Sequence, residues 1–93
     1  MNIRYYRDPE TGLPHITNHG ISEREVREVF RNSSEDLPGR DDSREKVGQT
    51  DAGRVLKIFY KRDPIPDSVF VITGYDLRGK ARRAYNRRRK KRR

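Results

Sequence analysis

Val26, Val29 and Phe30 recur at helical spacing, which predicts a helix over residues 22–31 with one apolar face. Its start is marked twice. Ser22 and Glu25 have the spacing of a capping box, and Ile21 and Val26 that of a hydrophobic staple. A shorter helical turn over residues 14–19 precedes it, opened by Pro14 and closed by Gly20. Elsewhere the apolar period falls to two. Residues 44–50, 54–61 and 68–75 read as strands, the first two joined by a tight turn at Asp51-Ala52-Gly53, and residues 2–7 as a short edge strand. Pro64 and Pro66 interrupt the ladder between the last two strands, and residues 35–42, polar and carrying Pro38-Gly39, read as a loop. Asp76 is placed to N-cap a terminal helix on which Leu77, Ala81, Ala84 and Tyr85 share a side. The expected order is β-α-α-β-β-β-α. This is an α+β fold class, with a small antiparallel sheet of three to four strands and the helices packed on one face.

Strand alternation sorts side chains between two faces. In 54–61, Leu56, Ile58 and Tyr60 fall on one side and Val55, Lys57, Phe59 and Lys61 on the other. In 68–75, Phe70 and Ile72 oppose Val71, Thr73 and Tyr75. The two purely apolar sets are expected to meet the helices. The second face then carries Lys57, Phe59, Lys61, Thr73 and Tyr75, joined by Arg44 and Lys46 from the strand before. Cations among rings are what single-stranded RNA binding uses, because rings stack bases and Lys or Arg neutralises phosphate. The same pattern also arises where a thin side of a sheet is covered by Phe59 and Val71 while Lys57 snorkels to water.

Composition narrows the functions. Ninety-three residues with 30% hydrophobic content form one domain, expected over residues 1–85, with room for a shallow surface site only. There is no cysteine, which excludes disulfides and thiolate chemistry. His15 and His19, four residues apart, are the only histidines and lack the further ligands of a metal site, so neither metal nor other cofactor is expected. The longest apolar run, residues 69–72, spans no membrane, and residues 1–7 have no signal-peptide character, giving the expectation of a soluble cytoplasmic protein. Net charge is +9, and it is unevenly spread. All 14 acidic residues lie in 1–76 with 12 basic ones, whereas residues 77–93 hold 11 basic residues and no acid. Arg78, Lys80, Arg82 and Arg83 lead into Arg87, Arg88, Arg89, Lys90, Lys91, Arg92 and Arg93, a run that exceeds what a solvated face needs and suits phosphate contact. Self-repulsion predicts that residues 86–93 form a disordered polybasic tail. The same basic end could alternatively dock an acidic protein.

Several short stretches carry a family resemblance: His19-Gly20-Ile21-Ser22, the helix bearing Val26, Val29 and Phe30, Val47-Gly48-Gln49-Thr50-x-x-Gly53-Arg54, and Val71-Ile72-Thr73 followed by a terminal helix. Over residues 15–85 the chain resembles the BrnT-type toxins, themselves similar to the RelE/ParE superfamily of small ribonuclease toxins. The resemblance implies a RelE-like domain that cleaves RNA, free or on the ribosome, and is neutralised by an antitoxin protein. It departs from the family at Ile72-Thr73-Gly74-Tyr75, where BrnT-type chains carry an arginine, and at Asp42-Ser43-Arg44-Glu45, a loose echo of their Glu-Arg pair. Taken with strand alternation, the resemblance implies Lys57 and Arg44 for charge on the phosphorane, Tyr75 or His19 for proton transfer and Phe59 for stacking. Lys46, Lys61 and the basic residues of 78–93 would hold the nucleic acid. The alternative reading is an RNA- or DNA-binding module of the same fold that does not cut.

Overall fold

A computed structural model describes residues 1–91. The elements are β1 (Asn2–Tyr5), a 3-10 turn (His15–His19), α1 (Glu23–Arg31), β2 (Ser34–Pro38), β3 (Arg44–Gln49), β4 (Val55–Arg62), β5 (Ser68–Asp76) and α2 (Gly79–Lys91). The local signals of the first half operate as written. Gly20 ends the 3-10 turn at φ 73°, a left-handed value that disfavours any side chain with a Cβ. Ser22 and Glu25 close both hydrogen bonds of the capping box. Arg54 fastens this corner, donating to the Gly20 carbonyl at 3.1 Å, to Glu25 at 2.7 Å and to Asp76 at 2.7 Å.

The fold is α+β, but the sheet is larger than expected and mixed. Five strands lie in the order β1-β5-β4-β3-β2, antiparallel except for β1, which runs parallel to β5. The unforeseen strand is β2, in part of the segment expected to be a loop. Its sequence Ser-Glu-Asp-Leu-Pro has no apolar alternation, so nothing local marks it. Ion pairs hold it: Asp36 accepts from Arg44 at 3.0 Å, and Arg88 grips Glu35 at 2.7 and 2.9 Å. Pro38 is tolerated because β2 is an edge strand.

The helices are not confined to one face. The 3-10 turn and α1 cover face A, where Ile16, Ile21, Val26 and Val29 pack with Leu56, Ile58, Tyr60, Val69 and Val71. The terminal helix α2 crosses the opposite face B, where Tyr85 and Leu77 bury against Val47 and Val55. Leu77 precedes the helix, and Asp76 does not cap it. Asp76 is the last residue of β5, and its carboxylate is taken by Arg54 and Arg78. The expected tail boundary at residue 86 also moves. Helix α2 continues through Lys91, because Arg and Lys are good helix formers and Arg88 finds an acidic partner on β2. Arg92 and Arg93 lie outside the described residues.

The expected faces of β5 are overturned by a β-bulge. Phe59 pairs with Thr73 but Tyr60 pairs with Val71, so Ile72 is the extra residue. One inserted residue reverses the parity of everything before it. Val69 and Val71 therefore share face A with Tyr60, and Phe70 moves to face B. Past the bulge, Gly74 sits on face A beneath the 3-10 turn. A Cβ there would come within 2.8 Å of the Lys57 carbonyl and 3.0 Å of Ile16 Cδ1.

Gly74→Ala should therefore destabilise the fold by about 1–3 kcal/mol through overpacking, read as a lower midpoint in denaturant. The Tyr5 hydroxyl is buried with no hydrogen-bond partner among the described residues, and burial pushes it up to about 12. Tyr5→Phe should accordingly leave stability unchanged or raise it by about 1 kcal/mol. Asp63, held by Arg4 and Ser68, has its carboxyl lowered to about 2. Its contribution is complete above the ordinary carboxylate range and is lost as pH falls towards 2. The Tm gap between wild type and Asp63→Asn should be widest near neutrality and narrow in acid.

Candidate functional site

Because α2 covers only part of face B, the rest of that face is open. Alternation and register place Glu45 of β3, Lys57, Phe59 and Lys61 of β4, Phe70, Thr73 and Tyr75 of β5, and Arg4 of β1 on it. Lys57 lies directly across from Tyr75, and Phe59 from both Thr73 and Glu45. The Phe59 and Tyr75 rings are tilted towards one another with centroids 5.9 Å apart, and the Lys57 ammonium stands 5.7 Å above the Phe59 ring. Tyr75 is 45% exposed, so its ring face is open to solvent. At the far side of the sheet the Arg4 guanidinium lies 5.2 Å over the Phe70 ring and is also bound by Asp63.

Lys57 Nζ is 2.9 Å from Glu45 Oε1. The hydrogen bond to Glu45 raises the lysine above its ordinary value against the desolvation that would lower it. Lys57 is thus a cation at neutral pH. It can stabilise negative charge but is not a general base. The carboxylate beside it is that of Glu45.

The four candidate catalytic residues are not brought together. Lys57 and Tyr75 share face B, and the register makes them cross-strand neighbours. Arg44 is instead on face A, since it pairs with Tyr60 in register, and its guanidinium is bound to Asp36. Lys46 follows it there, 3.6 Å from Asp36 and 5.3 Å over the Phe30 ring. The reason is register: Val47, not Lys46, lies opposite Lys57. His19 is also remote from face B. Its ring meets the edge of His15 at 5.3 Å, and His15 Nδ1 lies 3.1 Å from Asp8, whose carboxyl is lowered chiefly by that contact. Among the described residues no His, Asp and Glu side chains group so as to hold a metal ion.

The basic residues of 78–91 divide between those that bond to the protein and those that face outward. Arg78, Arg82, Arg88 and Arg89 bond respectively to Asp76, the Gly53 carbonyl, Glu35 and Gln49. Lys80, Arg83, Arg87, Lys90 and Lys91 are exposed and have no hydrogen bond or ion pair among the described residues. Lys61 is likewise exposed at the end of β4. The reading from sequence missed Glu45, Arg4 and Phe70. Arg4 was legible in the alternation of Ile3 and Tyr5, whereas Phe70 was hidden by the bulge.

No protein-family model, curated protein or solved structure matches the chain. Among the described residues, no helix is long and apolar enough to cross a membrane.

Proposed function

We propose that the chain acts on RNA at face B, as a toxin-like, metal-independent endoribonuclease. The observation that supports this most is the cluster of Lys57, Glu45, Phe59 and Tyr75 on one open sheet surface, a cation, a carboxylate and two rings in contact. Phe59 and Tyr75 offer stacking surfaces for unpaired bases, and Lys57 with Lys61 meets phosphate. A phosphate arriving at Lys57 competes with Glu45 for the ammonium and frees that carboxylate. Glu45 then takes the proton of the ribose 2′-hydroxyl, whose oxygen attacks the adjacent phosphorus. Lys57 stabilises the phosphorane, and Tyr75 gives its proton to the departing 5′-oxygen. The products are a 2′,3′-cyclic phosphate and a free 5′-hydroxyl. RelE-like architecture and an antitoxin partner belong to the same proposal, on the strength of the resemblance over residues 15–85.

A second reading is a module of the same fold that binds RNA without cutting it. Its support is the loss of Arg44 and His19 from the face, which leaves Lys57 to carry the phosphorane charge there.

Incubating the purified chain with a single-stranded RNA in excess EDTA tests both readings. Cleavage to cyclic-phosphate ends is expected. Lys57→Ala should reduce it by about 10²–10³-fold, the cost of removing a charge-stabilising donor. Arg44→Ala and His19→Ala should leave it within a few-fold of wild type. Undiminished cleavage by a Lys57→Ala/Tyr75→Ala double variant would move the site elsewhere. Intact RNA retained by wild type and released by Phe59→Ala would select the binding module.

A further inference from the structure

Helix α2 has a second polar flank that the proposed chemistry does not use. Tyr85 points at the sheet, Arg88 lies along the flank towards β2, and Arg82, Asn86 and Arg89 line up along the opposite flank at i, i+4 and i+7. Between that flank and β3 is a cleft of about 390 Å³, lined by Gln49, Arg82, Asn86, Arg89 and Lys90. Its walls are built. Arg82 is held by the Gly53 carbonyl at 3.2 Å, Arg89 donates to the Gln49 carboxamide oxygen, and the Gln49 amide turns to Gly53 at 3.4 Å. Each guanidinium has five N–H donors, so both keep free donors for a ligand. No carboxylate lines the cleft. Three cations with no internal counter-charge call for an anion, and guanidinium pairs suit phosphate oxygens bidentately. The Asn86 carboxamide, which has no hydrogen-bond partner among the described residues, offers both donor and acceptor to one planar edge. That combination matches a phosphate and a base.

We propose that this cleft is a nucleotide-binding subsite, with Arg82, Arg89 and Lys90 on the phosphate and Asn86 on the base edge. The proposal rests on the reading that the chain takes nucleic acid, and it adds a second point of hold on the far flank of α2 from Lys57 and Tyr75. The nucleotide is either one unit of a bound strand or a free mononucleotide, since the recognising chemistry is the same. An acidic peptide would also satisfy the cations, and the poly-glutamate probe separates that case.

Binding of the full chain to three probes tests this: a fluorescent single-stranded RNA octamer, adenosine monophosphate and a poly-glutamate peptide. Arg82→Gln/Arg89→Gln should weaken nucleotide binding at least tenfold more than Arg83→Gln/Arg87→Gln, which removes equal charge from the outward face. Asn86→Leu, which alters no charge and fills the cleft, should weaken it several-fold, and circular dichroism verifies that each variant is folded. Weakening seen with both nucleotide probes marks a site open to free nucleotides, and weakening seen with the octamer alone marks a strand subsite. Equal losses from the two double variants with none from Asn86→Leu would overturn the proposal, as would poly-glutamate binding as tightly as the octamer. Phe59→Ala separates the two sites. If it binds the octamer like wild type while the cleft variants do not, face B fails and the cleft stands.

Discussion

One extra residue in β5 governs what each face of this sheet presents. Before Ile72 the strand sends Val69 and Val71 into the core under α1; beyond it, Thr73 and Tyr75 project from the other side beside Lys57 and Phe59. Without the bulge, Val69, Val71, Thr73 and Tyr75 would share one face, and Thr73 and Tyr75 would go into the core with the valines. The bulge lets β5 serve as a core strand along its first half and as a platform along its second. Gly74 completes the arrangement from below. Its missing side chain lets the 3-10 turn come down onto the sheet directly behind Tyr75.

Charge does the rest of the organising. In a chain with 40% charged residues and a small core, ion pairs replace part of the apolar packing that larger domains rely on. They are placed where elements meet. Arg54 joins the 3-10 turn, α1 and β5; Asp36 gathers Arg44, Lys46 and Tyr60; Arg88 ties α2 to the edge strand β2. Exposed pairs of this kind contribute little singly, roughly 0–1 kcal/mol each, so their role is to choose partners and register. The same division explains why a chain of net charge +9 folds around a nearly neutral body. Cations facing the protein have acids or carbonyls to meet, while the surplus stands on the outer side of α2 and along the margins of face B.

The two proposed surfaces follow from how α2 crosses the sheet. Anchored by Tyr85, it covers Val47 and Val55 and leaves the Lys57–Tyr75 side open on one flank and the Gln49 cleft on the other. A polybasic segment that in isolation would only repel itself is thereby given two different neighbours, rings and a carboxylate on one side and carboxamides on the other.

Much of this was legible in the chain itself. The capping box at Ser22 and Glu25, the Gly20 stop, the apolar stripe of α1 and the alternation in β4 depend on neighbours a few residues apart, so local chemistry determines them. That Lys57 shares a face with Phe59 in β4, and Thr73 with Tyr75 at the end of β5, was also readable from strict alternation; that the two pairs lie side by side was not. The strand β2, the parallel docking of β1, the transfer of Phe70 to the open face and the removal of Arg44 and Lys46 from it were not. Each depends on which residue lies opposite which in a neighbouring strand, or on an acid and a base more than 50 positions apart such as Glu35 and Arg88. Spacing along a chain carries no record of cross-strand register or of a bulge. Those are decided only when the strands pair and the core closes over them.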